Sequence, residues 1–277
     1  MNSCFKISCY PSNKIVSDLE KAAYSVAQVK TSEIKKRPYP PFITSTLQRA
    51  ASTLFGWSAR KTMTIAQNLY EEGLITYHRT DSVQLSKEAV AMGREFIGQK
   101  YGKSYLPETP NVYKTSAKVA QEAHEAIRPA HLSGTQKEIG KDHSRLLDLI
   151  TKRFLASQMK EQLIERISIE VAATNRPKGS EMLKQVQHDN SYLFRASGDK
   201  QLFAGWRAVY GGTSDSGKEE TLNPLPKVAE SEPLNLLKLL SEQKFTQPPS
   251  RYNEASLIKA LEEQGIGRPS TYAPTIS

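Results

Sequence analysis

Apolar residues recur every three or four positions through much of residues 14–163, a spacing that places them on one face of a helix. Ser45 and Gln48 form a capping-box pattern that predicts one helix start, and Ser86 predicts another. Gly73 is expected to end a helix, because glycine readily takes left-handed backbone just after the last turn. The predicted helices are 14–27, one opened by Ser45, 58–72, one opened by Ser86, and 143–163.

From about residue 164 the pattern changes to an alternation of apolar and polar residues, which is typical of half-buried strands. The polar stretch 175–190 predicts a surface insertion, and the Gly/Ser-rich stretch 211–223 predicts a loop. A mainly helical part and a separate β part indicate an α+β fold. The predicted strands are 24–30, 163–171, 192–196, 206–210 and 234–240.

The balance of charged residues favours a polyanionic partner. The chain has 38 Lys and Arg against 29 Asp and Glu, a formal net charge of +9, although many proteins with such a balance bind no nucleic acid. A hydrophobic content of 38% is sufficient for a packed core. The two cysteines, Cys4 and Cys9, support neither a disulfide framework nor a zinc knuckle.

The sequence shows no sign of export or of membrane insertion. It lacks the apolar run of a signal peptide, and no stretch of about 18 apolar residues could span a bilayer. We therefore expect a cytoplasmic protein without a membrane partner.

The residues that follow the helix 58–72 carry the candidate chemistry. Tyr77 stands two positions before Arg79, so in an extended backbone both side chains point one way while His78 points the other. A phenol can attack phosphorus, and a guanidinium can hold two phosphate oxygens at once. Taken alone the pattern is weak, because there are 12 tyrosines and a tyrosine is most often a packing ring.

Several blocks of the chain closely resemble bacterial type IA DNA topoisomerase I. Residues 75–82, Ile-Thr-Tyr-His-Arg-Thr-Asp-Ser, match the active-site tyrosine segment of that family. The segments 41–48 and 122–129 resemble its entry into the tyrosine domain and its active-site histidine block. The segments 245–252 and 265–272 resemble its late DNA-contacting motif, so the similarity extends over about 235 residues in family order.

The resemblance implies a fold and a domain arrangement. A mostly helical domain over 41–163 would carry the tyrosine and would be inserted in an open β arch built from 10–40 and 164–243. Residues 244–277 would be the truncated start of a DNA-binding base domain. The strand topology is likewise an expectation taken from the family.

The resemblance also implies an activity, the relaxation of negatively supercoiled DNA by transient cleavage of one strand. Tyr77 would form a 5′-phosphotyrosine intermediate, Arg79 would neutralise the scissile phosphate, and His124 would contact that phosphate or the tyrosine network. The expected partners are single-stranded and negatively supercoiled DNA, with magnesium as cofactor and a location at the nucleoid. The expected DNA-binding residues are Arg79, Thr80, Asp81, Ser82, Arg128, Arg268, Ser270 and Thr271.

Two of these blocks invite other interpretations. His124 and Arg128 are four apart and would share one face if the segment were helical, with Pro129 ending the helix; the second histidine of a zinc-protease motif is missing. The glycine-containing segment 265–271 has no Walker lysine, which argues against an ATP site. Its glycines are expected to lead into a helix near Pro269, whose N-terminus would hold a DNA phosphate.

One part of the family pattern is missing. The family's Toprim domain carries an Asp-x-Asp-x-Asp metal cluster, but no Asp-x-Asp occurs here and the seven aspartates are scattered. We therefore expect a central fragment of a longer enzyme that holds no magnesium ligand, and the sequence leaves open whether a separate Toprim polypeptide complements it. The alternatives are a non-catalytic fragment that binds single-stranded DNA and an inactive product of a split gene.

Overall fold

The computed structural model describes residues 12–114, 124–132, 139–174, 191–211 and 222–276. Its contacts divide the chain into two compact units. The first, the sheet unit, comprises the described residues within 1–34, 164–202 and 221–248. The second, the helical unit, comprises those within 35–163, 203–220 and 249–277. Residues 249–276 thus cluster with the helices, and the division into arch, tyrosine domain and base domain remains a prediction.

The sheet unit contains a four-stranded sheet in the order β3-β2-β1-β4. β4 is antiparallel to β1, with Tyr24 opposite Leu234. Leu19 of the preceding helix and Val26 of β1 are buried. The elements of this sheet, with the helix that precedes it, are α1 (Ser12–Glu20), β1 (Ala23–Lys36), β2 (Gln162–Thr174), β3 (Ser191–Phe203) and β4 (Pro233–Leu234).

Two expectations for this unit are wrong in extent. The predicted helix 14–27 ends at Glu20, because the alternating residues from Ala23 onward pair with β4: Val26 donates its N–H to the carbonyl of Glu232 at 2.9 Å. The predicted strand 234–240 amounts to Pro233–Leu234, and residues 235–253 contain no regular element. The predicted insertion 175–190 lies outside the described residues, as does most of the predicted loop 211–223.

The helical unit is built around two apolar clusters. Phe42, Leu47, Leu69 and Ile150 are among the buried residues of the first cluster, and Phe154 belongs to the second. The elements of this unit are α2 (Thr44–Phe55), α3 (Ala59–Glu71), α4 (Lys87–Lys100), a 3₁₀ helix (Lys103–Tyr105), α5 (Lys141–Ser157), a second 3₁₀ helix (Gly205–Tyr210), α6 (Glu254–Glu263) and α7 (Tyr272–Ile276).

The helix starts follow the sequence only in part. Ser58 and Ser86 accept the backbone N–H groups of Lys61 and Ala89, at 3.1 and 3.2 Å, as caps of α3 and α4. Ser45 is no cap, because α2 already begins at Thr44 and the Ser45 hydroxyl donates to Glu262 at 2.7 Å. The predicted helix 143–163 is α5, which ends at Ser157 before β2 begins.

The prediction of a strand at 206–210 is wrong. Gly205–Tyr210 is a 3₁₀ helix in which Trp206, Val209 and Tyr210 are buried, and these positions are spaced by three and four residues as on a helix. The Trp206 indole donates to the carbonyl of Lys36 at 2.9 Å. In the described parts of the chain, no helix has both the length and the apolar character needed to cross a bilayer.

Candidate active site

A rigid turn leads from α3 into the segment that carries Tyr77. Gly73 has a φ of 71°, and its N–H donates to the carbonyl of Tyr70 at 2.9 Å. The N–H of Leu74 donates to the carbonyl of Leu69 at 2.9 Å, which completes a Schellman motif. The prediction that Gly73 ends this helix is confirmed, and the backbone entering the tyrosine segment has a defined direction.

The residues before Tyr77 pair with the segment that carries the histidine block. Ile75 forms a bridge with Pro129, and Thr76 donates its N–H to the carbonyl of Arg128 at 2.9 Å. The Thr76 hydroxyl also donates to the carbonyl of Ala126 at 2.7 Å. This pairing brings two segments about 50 residues apart in sequence into register.

The residues after Tyr77 are held by the start of α2. The Thr44 hydroxyl donates to the carbonyl of His78 at 2.8 Å, and the Thr44 N–H donates to the carbonyl of Thr80 at 2.9 Å. The Thr80 N–H returns a hydrogen bond to the Thr44 hydroxyl at 3.0 Å. The backbone is therefore fixed on both sides of Tyr77, which orients its side chain.

Three aromatic rings surround Tyr77. The ring centroid of Tyr77 lies 5.3 Å from that of Tyr70, 5.3 Å from that of His78 and 5.6 Å from that of His124. The contacts with Tyr70 and His78 are edge-on, and the ring of His124 is tilted by 36°. The expected association of His124 with the tyrosine is thus present in the structure.

Side-chain burial alternates along this segment as expected for extended backbone. Tyr77 is half-buried, His78 is fully buried and Arg79 is exposed. Within the described residues neither ring nitrogen of His78 has a hydrogen-bond partner. Burial, reinforced by the positive charge of Arg79, lowers the pKa of His78 to about 4, so its imidazole is neutral at pH 7.

Arg79 presents a cation two residues after the tyrosine. Its guanidinium is exposed and has no ion-pair or hydrogen-bond partner among the described residues. The buried Nδ1 of His124 also lacks a partner in that part of the chain. Tyr77 therefore packs against an imidazole with an unpartnered nitrogen, and the cation two residues further along the segment is also without a partner in the described chain. Such groups suit a phosphodiester.

The other residues predicted in this loop lie in different environments. Thr80 and Ser82 are buried, and their hydroxyls accept the backbone N–H groups of Ser82 and Gln84 at 3.0 and 3.2 Å. In this structure they hold the loop instead of facing solvent, in contrast to the expectation of DNA contact. Asp81 is half-buried. Burial raises the pKa of Tyr272, and the negative charge of Asp81 raises it further.

Residues 124–129 of the histidine block are not helical, so the condition under which His124 and Arg128 would share a helical face is not met. The strand-like pairing of this segment with residues 42 and 75 replaces the helix. Arg128 donates to the carboxylate of Glu125 at 2.8 Å, and that carboxylate also accepts the N–H of Ser86 at the start of α4. The guanidinium of Arg128 thus supports α4, and its side chain is only 15% exposed.

The last motif forms a loop and a short helix that packs on α3. α7 starts at Tyr272, later than the predicted start near Pro269. Arg268, Ser270 and Thr271 are exposed, and the Thr271 hydroxyl accepts the N–H of Arg268 at 2.8 Å. Their expected role in DNA binding stays a prediction, and a helix of this length supplies no phosphate site of its own.

Sequence reasoning missed two members of the aromatic cluster. Tyr70 stands seven residues before Tyr77 near the end of α3, where it looked like an ordinary surface residue. His78 was given no role, because its context in the sequence supports none. Only the pairing of Thr44 with the tyrosine loop places His78 inside.

Comparison with known proteins decides the family. A family profile described as DNA topoisomerase matches residues 9–277. The chain belongs to the DNA topoisomerase family. It is 42% identical to DNA topoisomerase 1 of Rickettsia felis over 275 residues and 45% identical to that of Helicobacter pylori over 276 residues, covering 95% of this chain in each case. The resemblance to bacterial topoisomerase I is thereby confirmed.

The structural comparison agrees with the expected fold. Full-length topoisomerase I from Thermotoga maritima aligns with 99% of the chain at a TM-score of 0.74 and 32% identity, which confirms the α+β class. The chain spans 43% of that topoisomerase and 34% of the two curated relatives. It thus corresponds to about one third of the length of these relatives.

Proposed function

We propose that Tyr77 is the nucleophile of a type IA topoisomerase reaction in which one DNA strand is cut, passed and rejoined to relax negative supercoils. The observation that carries the proposal is the packing of Tyr77 against His124, two residues before the exposed Arg79, whose guanidinium has no partner among the described residues. Such a guanidinium can hold a phosphodiester and neutralise the charge that grows on phosphorus-bound oxygen.

The reaction follows from these groups. The Tyr77 oxygen attacks the scissile phosphorus, the bond to the 3′ oxygen breaks, and the strand remains joined to the enzyme through a 5′-phosphotyrosine ester. The phenol loses a proton and the leaving 3′ oxygen gains one, so attack by that 3′-hydroxyl reverses the step. His124 contributes a polar contact at the phosphate, while the neutral imidazole of His78 packs behind the phenol.

Magnesium, which the family resemblance implies, does not fit the residues described. They contain no group of three His, Cys, Asp or Glu side chains able to hold a metal ion. Several aspartates are already committed: Asp142 pairs with Lys61 at 2.6 Å, and Asp199 pairs with Arg166 at 2.7 Å. We therefore derive no step through a metal in this chain.

The proposed reaction has a corollary for the isolated chain. Without an acidic cluster in the described residues, we infer that cleavage requires a Toprim domain that supplies the acidic groups. Alone, the chain would bind single-stranded DNA without cleaving it. In the cell the complete assembly would act on negatively supercoiled DNA at the nucleoid.

Covalent trapping tests the proposal. The chain is mixed with a single-stranded oligonucleotide and magnesium, with and without a separately expressed Toprim fragment, and is then denatured. A label at the 3′ end of the oligonucleotide should remain with the protein and a label at its 5′ end should not, because the ester forms at a 5′ phosphate. The adduct should be absent in Tyr77→Phe and present in the matched control Tyr70→Phe.

Two results would count against the proposal. An adduct that retains the 5′ label would show that the protein is joined to a 3′ phosphate instead of a 5′ phosphate. An adduct that still forms in Tyr77→Phe would exclude Tyr77 as the nucleophile. Salt-sensitive DNA binding without any adduct, even with the Toprim fragment, would favour the non-catalytic alternative.

A further inference from the structure

A second arginine lies at the same surface as Arg79. An open pocket of about 280 Å³ is formed by one face of α3, by Arg79 and by α7. The helix residues that line it are spaced by three, four, seven and eight positions, so they share one face of α3. The lining residues are Arg60, Met63, Thr64, Gln67, Asn68, Arg79 and Ala273.

The chemistry of this pocket suits an anion. Its lining residues include two arginines, one threonine, one glutamine and one asparagine, and no Asp or Glu is among them. Among the described residues neither Arg60 nor Arg79 has an ion-pair partner. The neighbouring Lys61 differs, because its ammonium pairs with Asp142 at 2.6 Å. Two uncompensated positive charges therefore face one pocket.

The polar side chains between the two arginines are held in place. The Gln67 amide donates to Glu71 at 2.6 Å, and the Asn68 amide nitrogen lies 3.3 Å from Nε2 of His143. These contacts fix one wall of the pocket before any ligand arrives, which lowers the entropic cost of binding. The pocket is thus a preformed surface that begins at Arg79 and reaches Arg60, about two turns away along α3 from Asn68.

We propose that Arg60 binds a second backbone phosphate of the DNA strand whose scissile phosphate lies at Arg79. A single strand presents phosphates at regular intervals, so a strand held at Arg79 and running along α3 meets the second guanidinium. This contact holds the cleaved strand on the chain until rejoining. The identity of the strand rests on the proposed function, whereas the binding of a polyanion at Arg60 does not.

The test measures binding of a fluorescent single-stranded oligonucleotide by anisotropy over a series of salt concentrations. All variants carry Tyr77→Phe, so that no covalent step interferes. Arg60→Ala should weaken binding about 10-fold and reduce the slope of log K against log salt by about 0.7, the value for one lost phosphate contact on a single strand. Arg60→Lys should retain most of the slope.

Lys103→Ala is the matched control, because it removes one exposed positive charge that does not line the pocket. Equal slopes for Arg60→Ala and Lys103→Ala would show a general charge effect and overturn the proposal. Thermal unfolding checks that each variant is folded, as expected for substitutions at exposed side chains. Inorganic phosphate is the competitor that separates a strand site from a free-anion site.

If Arg60→Ala leaves the salt slope of DNA binding unchanged but abolishes the binding of inorganic phosphate, the pocket binds free anions only. That result would overturn the proposed contact with the strand. Failure of the inference and failure of the proposed function remain distinguishable. A reduced slope without covalent trapping would support the pocket and contradict the cleavage proposal. Trapping at Tyr77 with no effect of Arg60→Ala on the salt slope would support the cleavage proposal and contradict the inference about Arg60.

Discussion

At the scale of single residues, the site depends on what surrounds one tyrosine. Tyr77 is distinguished from the other tyrosines by backbone held on both sides, an exposed cation at Arg79 and an imidazole at His124. The i, i+2 spacing of Tyr77 and Arg79 alone was a weak signal, and the resemblance of residues 75–82 to the family's tyrosine segment is what singled them out. The sequence could not indicate Tyr70 or the burial of His78, which follow from contacts between distant segments.

The pKa of His78 predicts how stability depends on pH. Because that pKa falls from 6.5 to about 4 on folding, the unfolded chain binds more protons between these values, and stability decreases as pH falls. Through this histidine, the free energy of unfolding should fall by about 1.5 kcal/mol between pH 6.5 and pH 5. Denaturant unfolding at several pH values measures this drop. In His78→Leu the drop in the free energy of unfolding should be about 1.5 kcal/mol smaller than in the unaltered protein. Identical pH profiles for both proteins would contradict the assignment.

His124 is expected to contribute to the reaction through its contact with the tyrosine. Replacing it by alanine removes a polar group beside the scissile phosphate and should lower the initial rate of adduct formation about 10-fold or more. The rate is measured by covalent trapping with the Toprim fragment present. His131 is exposed, and His131→Ala should leave the rate unchanged. A common loss in both variants would argue for a general effect on folding.

At the scale of elements, capping and spacing explain which segments were predictable. α3 follows from the Ser58 cap, its apolar face and Gly73, all of which are local signals. The conformation of the histidine block could not be read from its spacing, because the i, i+4 spacing of His124 and Arg128 also suits a helix while pairing with Ile75 keeps the described part of the segment extended. Tertiary pairing overrides local spacing there.

The turn at Gly73 should respond to a side chain more than a glycine within a helix does. Gly73→Ala introduces a Cβ at a φ of 71° and should lower the free energy of unfolding by about 1 kcal/mol. Gly98 lies inside α4 with only an ordinary contact to Leu106, so Gly98→Ala should be neutral or stabilising by up to about 1 kcal/mol. Chemical denaturation measures both. Equal effects would show that the left-handed turn is not retained in solution.

At the scale of the whole molecule, the chain belongs to the DNA topoisomerase family and spans about one third of its curated relatives. Its α+β class and family could be recognised from blocks of sequence, and the comparisons with topoisomerase 1 confirm both. Domain limits were less predictable, because residues 249–276 form contacts with α2 and α3 that no local pattern reports. The proposed dependence on a Toprim domain rests on the lack of a metal-binding acidic cluster in the described residues and stays a prediction.

The most direct test of the central claim is to identify the amino acid that becomes joined to DNA. After trapping with the Toprim fragment, nuclease and trypsin digestion should leave a nucleotide on the peptide Thr62–Arg79, which contains both Tyr70 and Tyr77. Fragmentation in a mass spectrometer separates the two. A nucleotide on Tyr77 is the predicted result, and a nucleotide on Tyr70 or on any other peptide would contradict the account.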